Sequence, residues 1–175
     1  MPALLFILNA LLTLIMIAFL LRVLMPLVRA DFRNPVGEAV LKLTNPLVLP
    51  LRKLLPPGKR FDPASLLALV LVQLAGTAVL RAVAGAGFHL NAILLGGLRD
   101  LLHTVLQFYF VAVLLYALLS WFAGSTYNPA TQILSKLVEP LLAPIRRVVP
   151  PLGGLDLSAL FLMIALQALM ILLRS

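Results

Sequence analysis

The chain has 175 residues, 62% apolar and only 11% charged, with a mean hydropathy of +1.10 and a formal net charge of +8. A soluble domain carries about a quarter of its residues as charges, so this balance belongs to a bilayer-embedded chain. The Lys and Arg excess then reads as loop charge beside membrane spans, not as a nucleic-acid surface. Cysteine is absent, which excludes disulfides, thiolate nucleophiles and Cys-ligated metals.

In chain order, residues 3–23 form a first apolar run interrupted by Asn9 and Thr13. No basic residue precedes it, and Arg22 and Arg29 follow where a cleavage site would need small residues, so it is expected to be a retained span. Asn34 and Pro35 then make a helix start, with the side chain capping and Pro at the first position, where no amide bond is lost. Val36, Ala39, Val40, Leu43 and Leu47 repeat with helical period, and Glu38 and Lys42 fall off that face. This predicts an amphipathic interfacial helix. Pro46 and Pro50 are expected to prevent a long regular helix, and Pro56-Pro57 with Gly58 to turn the chain back. Asp62 precedes a second span at residues 63–83, interrupted by Gln73, and suits the free amides and dipole of that helix start.

Residues 84–100 read as a linker, flexible at Gly85 and Gly87 and interfacial from 90 to 98. A third span is predicted at 101–122, carrying His103 and Gln107. Asn128-Pro129 opens another amphipathic stretch, with Ala130, Ile133, Leu134, Leu137 and Val138 on one face and Gln132 and Lys136 off it. Pro140, Pro144, Pro150-Pro151 and Asp156 lead into a short fourth span at 157–173 that carries Gln167.

The segments 34–74 and 128–168 align at a constant offset of 94 residues, and each holds five prolines in register, a basic pair, an Asp and a Gln. The expected fold is therefore all-α: four membrane spans in two parallel repeats, residues 1–83 and 101–175, each with an amphipathic helix and a Pro-rich re-entry. Seven Lys and Arg lie between residues 28 and 62 and three between 123 and 156. The positive-inside rule thus predicts both motif loops in the cytoplasm and both termini outside.

The second copy, from Asn128-Pro129 through Glu139-Pro140, Pro144, Arg146-Arg147, Pro150, Gly153-Gly154, Asp156 and Ser158, resembles the YggT (YlmG) family of small integral membrane proteins. The first copy departs from it, with Asn45 in place of the Glu and Gly58-Lys59-Arg60 in place of the Gly-Gly. The resemblance covers nearly the whole chain as two units. It implies a bacterial inner-membrane protein, with plastid relatives linked to cytochrome assembly and envelope or nucleoid organisation. Bacterial relatives are associated with cell-division gene neighbourhoods and osmotic-stress tolerance. It carries over no catalytic residue.

Candidate sites follow from chemistry and register. Gln73 and Gln167, equivalent at the offset and mid-span, are expected to face protein or water, either lining a path or hydrogen-bonding between helices; Gln107 and His103, four apart, can join them. His103 has no companion cluster for a metal site. The basic pairs Arg52-Lys53 and Arg146-Arg147 suit anionic lipid headgroups, or alternatively an acidic partner. Asn34, Pro35, Asp62, Asn128, Pro129 and Asp156 are expected to be caps and helix starts, with the two Asp residues as proton or cation sites in the alternative reading. No motif for hydrolysis, phosphate binding or haem attachment is present, so no cofactor and no enzyme activity are expected. The partners are membrane lipids and a protein or a second copy, with no nucleic acid. The expectation is a scaffold or assembly factor; a small oligomeric channel or transporter for ions or osmolytes is the alternative.

Overall fold

The computed structural model describes residues 2–58, 61–122, 129–148 and 157–174. Among them the chain forms six helices: α1 (Pro2–Leu27), α2 (Pro35–Arg52), α3 (Pro63–Val83), α4 (Leu90–Phe122), α5 (Pro129–Arg146) and α6 (Leu157–Arg174). The helices α1, α3, α4 and α6 are long and apolar enough to cross a membrane. Even α6, with 18 residues, reaches about 27 Å at ~1.5 Å per residue, against a hydrocarbon thickness of ~30 Å.

Local chemistry sets the helix starts. The Asn34 side chain accepts from the Gly37 amide at 2.9 Å, and Pro35 follows at the first helical position. Gly37 is required there, because a Cβ would lie 2.5 Å from the Phe32 carbonyl oxygen. Asp62 caps α3 in the same way, accepting from the Ser65 amide at 3.4 Å before Pro63. Pro129 likewise opens α5. Asn128 and Asp156 lie outside the described residues.

Three expectations are corrected. First, α2 and α5 run straight through Pro46 and Pro50, and Pro140 and Pro144. Spaced four apart, each pair falls on the exposed face, so the lost bonds and ring clashes collect on one side, where they bend a helix without ending it. Second, residues 90–98 do not form an element of their own but the first turns of the third span helix. The turn after α3 closes by Gly85 and Gly87, both at positive φ, and α4 is continuous from Leu90 through Asp100. Third, the buried face of α2 is Gly37, Val40, Thr44 and Val48, whereas Leu43 is 69% exposed.

The helices α1, α2 and α3 pack on one another, as do α4, α5 and α6. The first group closes around Met16, Phe19, Leu20, Val48, Ala68 and Leu69, and the second around Val113, Val138, Leu142 and Leu162. A third cluster, Met25, Ala30, Ile133 and Leu137, joins the end of α1 to α5. Glycines permit the closest approaches. A Cβ at Gly76 would meet the Leu12 side chain at 2.5 Å, and one at Gly97 would meet Leu74 Cδ2 at 2.8 Å. The α3–α4 contact has no α1–α6 counterpart among the described residues. Large apolar side chains such as Phe6, Leu95 and Ile171 remain exposed, which fits a lipid environment.

Candidate intramembrane polar site

Two polar layers are built into the bundle, one at each end of an apolar core. The first is a cavity of about 300 Å³ between α1, α3, α4 and α6. Asn9 and Thr13 come from α1, Gln73 from α3, Asp100, His103, Thr104 and Gln107 from α4, and Arg174 from α6. Because residues near both termini line it, this cavity belongs to the terminus end of the bundle. Gln73 marks its depth, about 15 Å along α3 from Pro63, near the middle of a ~30 Å hydrocarbon layer. The Gln73 side chain is buried and donates to Thr77 Oγ1 at 3.3 Å. Met16 forms part of the wall, and beneath it Phe19, Leu20 and Leu69 pack tightly with almost no exposure.

Towards the terminus end the cavity meets a wider pocket lined by Arg81 and Gly96, the two sharing Asn9, Leu80 and Asp100. On its other side it shares Thr13, Thr104 and Gln107 with an apolar groove of about 350 Å³ between α1, α4 and α5.

The second layer lies at the motif end and centres on Arg22, which is 1% exposed. Its Nε donates to Ser65 Oγ at 3.1 Å, and one terminal nitrogen donates to Thr44 Oγ1 at 2.6 Å and Asn45 Oδ1 at 2.7 Å. The other terminal nitrogen is buried without a hydrogen-bond partner among the described residues. Ser65 passes the interaction on, donating to Asp62 Oδ2 at 2.7 Å, and the same oxygen accepts from Arg52 at 2.5 Å and 3.2 Å. The network therefore ties α1 to α2 and α3. Burial pushes the Asp62 carboxyl up, but the bonds from Arg52 and Ser65 outweigh it and hold it below the usual carboxylate range. At the corresponding place in the second group, Arg146 donates to both Glu139 oxygens at 2.9 Å and to the Tyr116 hydroxyl at 3.3 Å.

The sequence-derived candidates thus separate. Gln73, His103 and Gln107 come together in one cavity. Gln167 does not join them: it sits at the same depth on α6 but is exposed. The reason is packing, since residues 94–101 of α4 lie over the Gln73 face of α3, and among the described residues no helix covers the matching face of α6. In each basic pair the first member, Arg52 or Arg146, is turned to a carboxylate, and only Lys53 and Arg147 are exposed. No sequence motif marks Arg22 or Asp100. Arg22 has a signal in the nonpolar residues 23–28 that follow it and keep it inside the span, whereas Asp100 falls in the segment that reads as a linker.

These features define a polytopic helical membrane protein with a polar cavity sunk into its terminus end and a buried polar tie at its motif end. The family description CCB3/YggT matches residues 1–83 and 95–175, and the chain belongs to this family. It is 36% identical over 167 residues to an uncharacterized Pseudomonas aeruginosa protein, covering 94% of this chain and 85% of that one. It is 34% identical over 169 residues to the uncharacterized protein YggT of Escherichia coli K12, covering 97% and 88%. An uncharacterized Vibrio alginolyticus protein is 34% identical over 165 residues, covering 93% and 88%. No solved structure matches the chain.

Proposed function

We propose that this protein is a non-enzymatic scaffold or assembly factor of a bacterial inner membrane, built as a duplicated unit with both motif helices on the cytoplasmic side. Duplication is supported by the family match in two segments and by two helices of each group, α1 and α4 aside, whose order and starts recur: Pro35 and Pro129 open 18-residue helices, and Pro63 and Leu157 open the spans that follow. The observation that carries the scaffold reading is the closed floor of the polar cavity. Met16, Phe19, Leu20 and Leu69 separate it from the Arg22 layer, and it continues only into an apolar groove, so one copy offers no polar path between the two layers among the described residues. The exposed Lys53 and Arg147, just past the ends of α2 and α5, supply a basic face for anionic headgroups or an acidic partner. Organisation of the envelope during osmotic stress or division is the setting the family resemblance implies.

A small oligomeric channel is the second reading, favoured by the single fact that polar side chains reach mid-span from one end. Potassium and proton flux from the purified protein in liposomes separates the two. Scaffold behaviour predicts no flux at any protein-to-lipid ratio, together with in-membrane crosslinks from Lys53 and Arg147 positions to a partner. A flux abolished by Gln73→Leu would replace the scaffold reading with conduction.

A further inference from the structure

We propose that the terminus-end cavity and the α1–α4–α5 groove are one binding site for a membrane glycerophospholipid, its phosphate held at the cavity mouth and an acyl chain lying in the groove. The two spaces are joined through Thr13, Thr104 and Gln107, so a polar chamber grades into an apolar slot, as an amphiphile requires. Charge at the mouth fits one phosphodiester. Arg81 and Arg174 are cations and Asp100 an anion, a net charge of +1 from these three side chains. The Arg81 Nε is buried and has no hydrogen-bond partner among the described residues, a donor the phosphate would satisfy.

The groove also gives the chain room. From Gln107, near mid-span, it follows α4 to Leu115 for about 12 Å towards the motif end, so an acyl chain seated there lies deeper than in a free leaflet. Its walls there are Ile17, Phe108 and Leu115, and Ile133 and Leu137 of α5 close its far end. Gln107 lies exposed at the junction, where glycerol ester carbonyls would sit and accept from its amide. The mouth of this site is at the opposite end of the molecule from Lys53 and Arg147, and neither of them lines the groove, so the site is distinct from the headgroup face proposed above.

The test is native mass spectrometry of the full-length protein, delipidated in detergent and titrated with palmitoyl-oleoyl phosphatidylglycerol, the matching phosphatidylethanolamine and the matching diacylglycerol. The wild type should retain one molecule of either phospholipid well above diacylglycerol. Arg81→Gln with Arg174→Gln should cut that retention about ten-fold or more, through lost charge-assisted bonds to the phosphate. Val111→Trp, which fills the groove without touching the mouth, should abolish it, while Lys53→Gln leaves it unchanged. Circular dichroism and thermal melting confirm that each variant is folded, and either the mouth or the groove variant suffices. Equal retention of diacylglycerol, or retention unmoved by folded variants at both ends, would overturn the site and leave annular lipid only. A dimer crosslinked through Leu115 that binds no lipid would overturn it too.

Discussion

Arg22 and Asp62 show how a few residues hold a mostly apolar bundle in one arrangement. A guanidinium inside a span is tolerated when its donors are matched, and Ser65, Thr44 and Asn45 match three of them. Arg22→Met removes the hub and leaves those acceptors buried, so it should destabilise the protein by about 2–4 kcal/mol, read as a lowered melting temperature in detergent. Asp62 acts through its charge. Its folded-state carboxyl titrates below the ordinary value of about 3.9, so its contribution is fully present above that pH and is lost as pH falls through the lower, folded value. Asp62→Asn should therefore cost about 1–3 kcal/mol at pH 7 and flatten the loss of stability seen in wild type below about pH 4, a difference that melting curves from pH 3 to 7 would reveal. Gln73→Leu breaks a buried bond to Thr77 and should cost about 1 kcal/mol, whereas Gln167→Leu on the exposed face of α6 should cost nothing measurable. Equal effects from the two substitutions would show that α6 is covered as α3 is.

The helices themselves were legible to different degrees. The starts of α2 and α3 at Pro35 and Pro63 follow from Asn34 and Asp62 as caps, because capping is a contact between residues three apart. What happens after a proline was not legible: whether Pro46 and Pro50 end α2 or bend it depends on which face they occupy, and tertiary packing chooses that face. Thr44, not Leu43, is turned inward because Arg22 lies opposite it. Close packing of elements is testable at two glycines. At Gly37 a methyl group meets the Phe32 backbone, which cannot rotate away, so Gly37→Ala should cost about 3 kcal/mol. At Gly76 it meets the end of the Leu12 side chain, which can change rotamer, so Gly76→Ala should cost about 1 kcal/mol and less than Gly37→Ala. Thermal melting of the two variants side by side decides the order.

At the scale of the whole molecule, two three-helix groups meet unequally: α4 begins before the stretch that matches α1 at the 94-residue offset, and its first turns lie on α3, while among the described residues α6 has no equivalent cover. That asymmetry is why Gln73 and Gln167, indistinguishable in register, end in different surroundings. By itself the sequence determined the helical class, the four apolar spans, the caps and the proline register, because hydropathy and capping act over one span or one turn. Only the tertiary structure decided that Gln73, His103, Gln107, Asp100 and Arg174 share one cavity, that Arg52 and Arg146 pair with carboxylates, and that Arg22 becomes a hub. Those outcomes depend on which helix faces meet, and residues tens of positions apart are brought together by packing that no local period encodes.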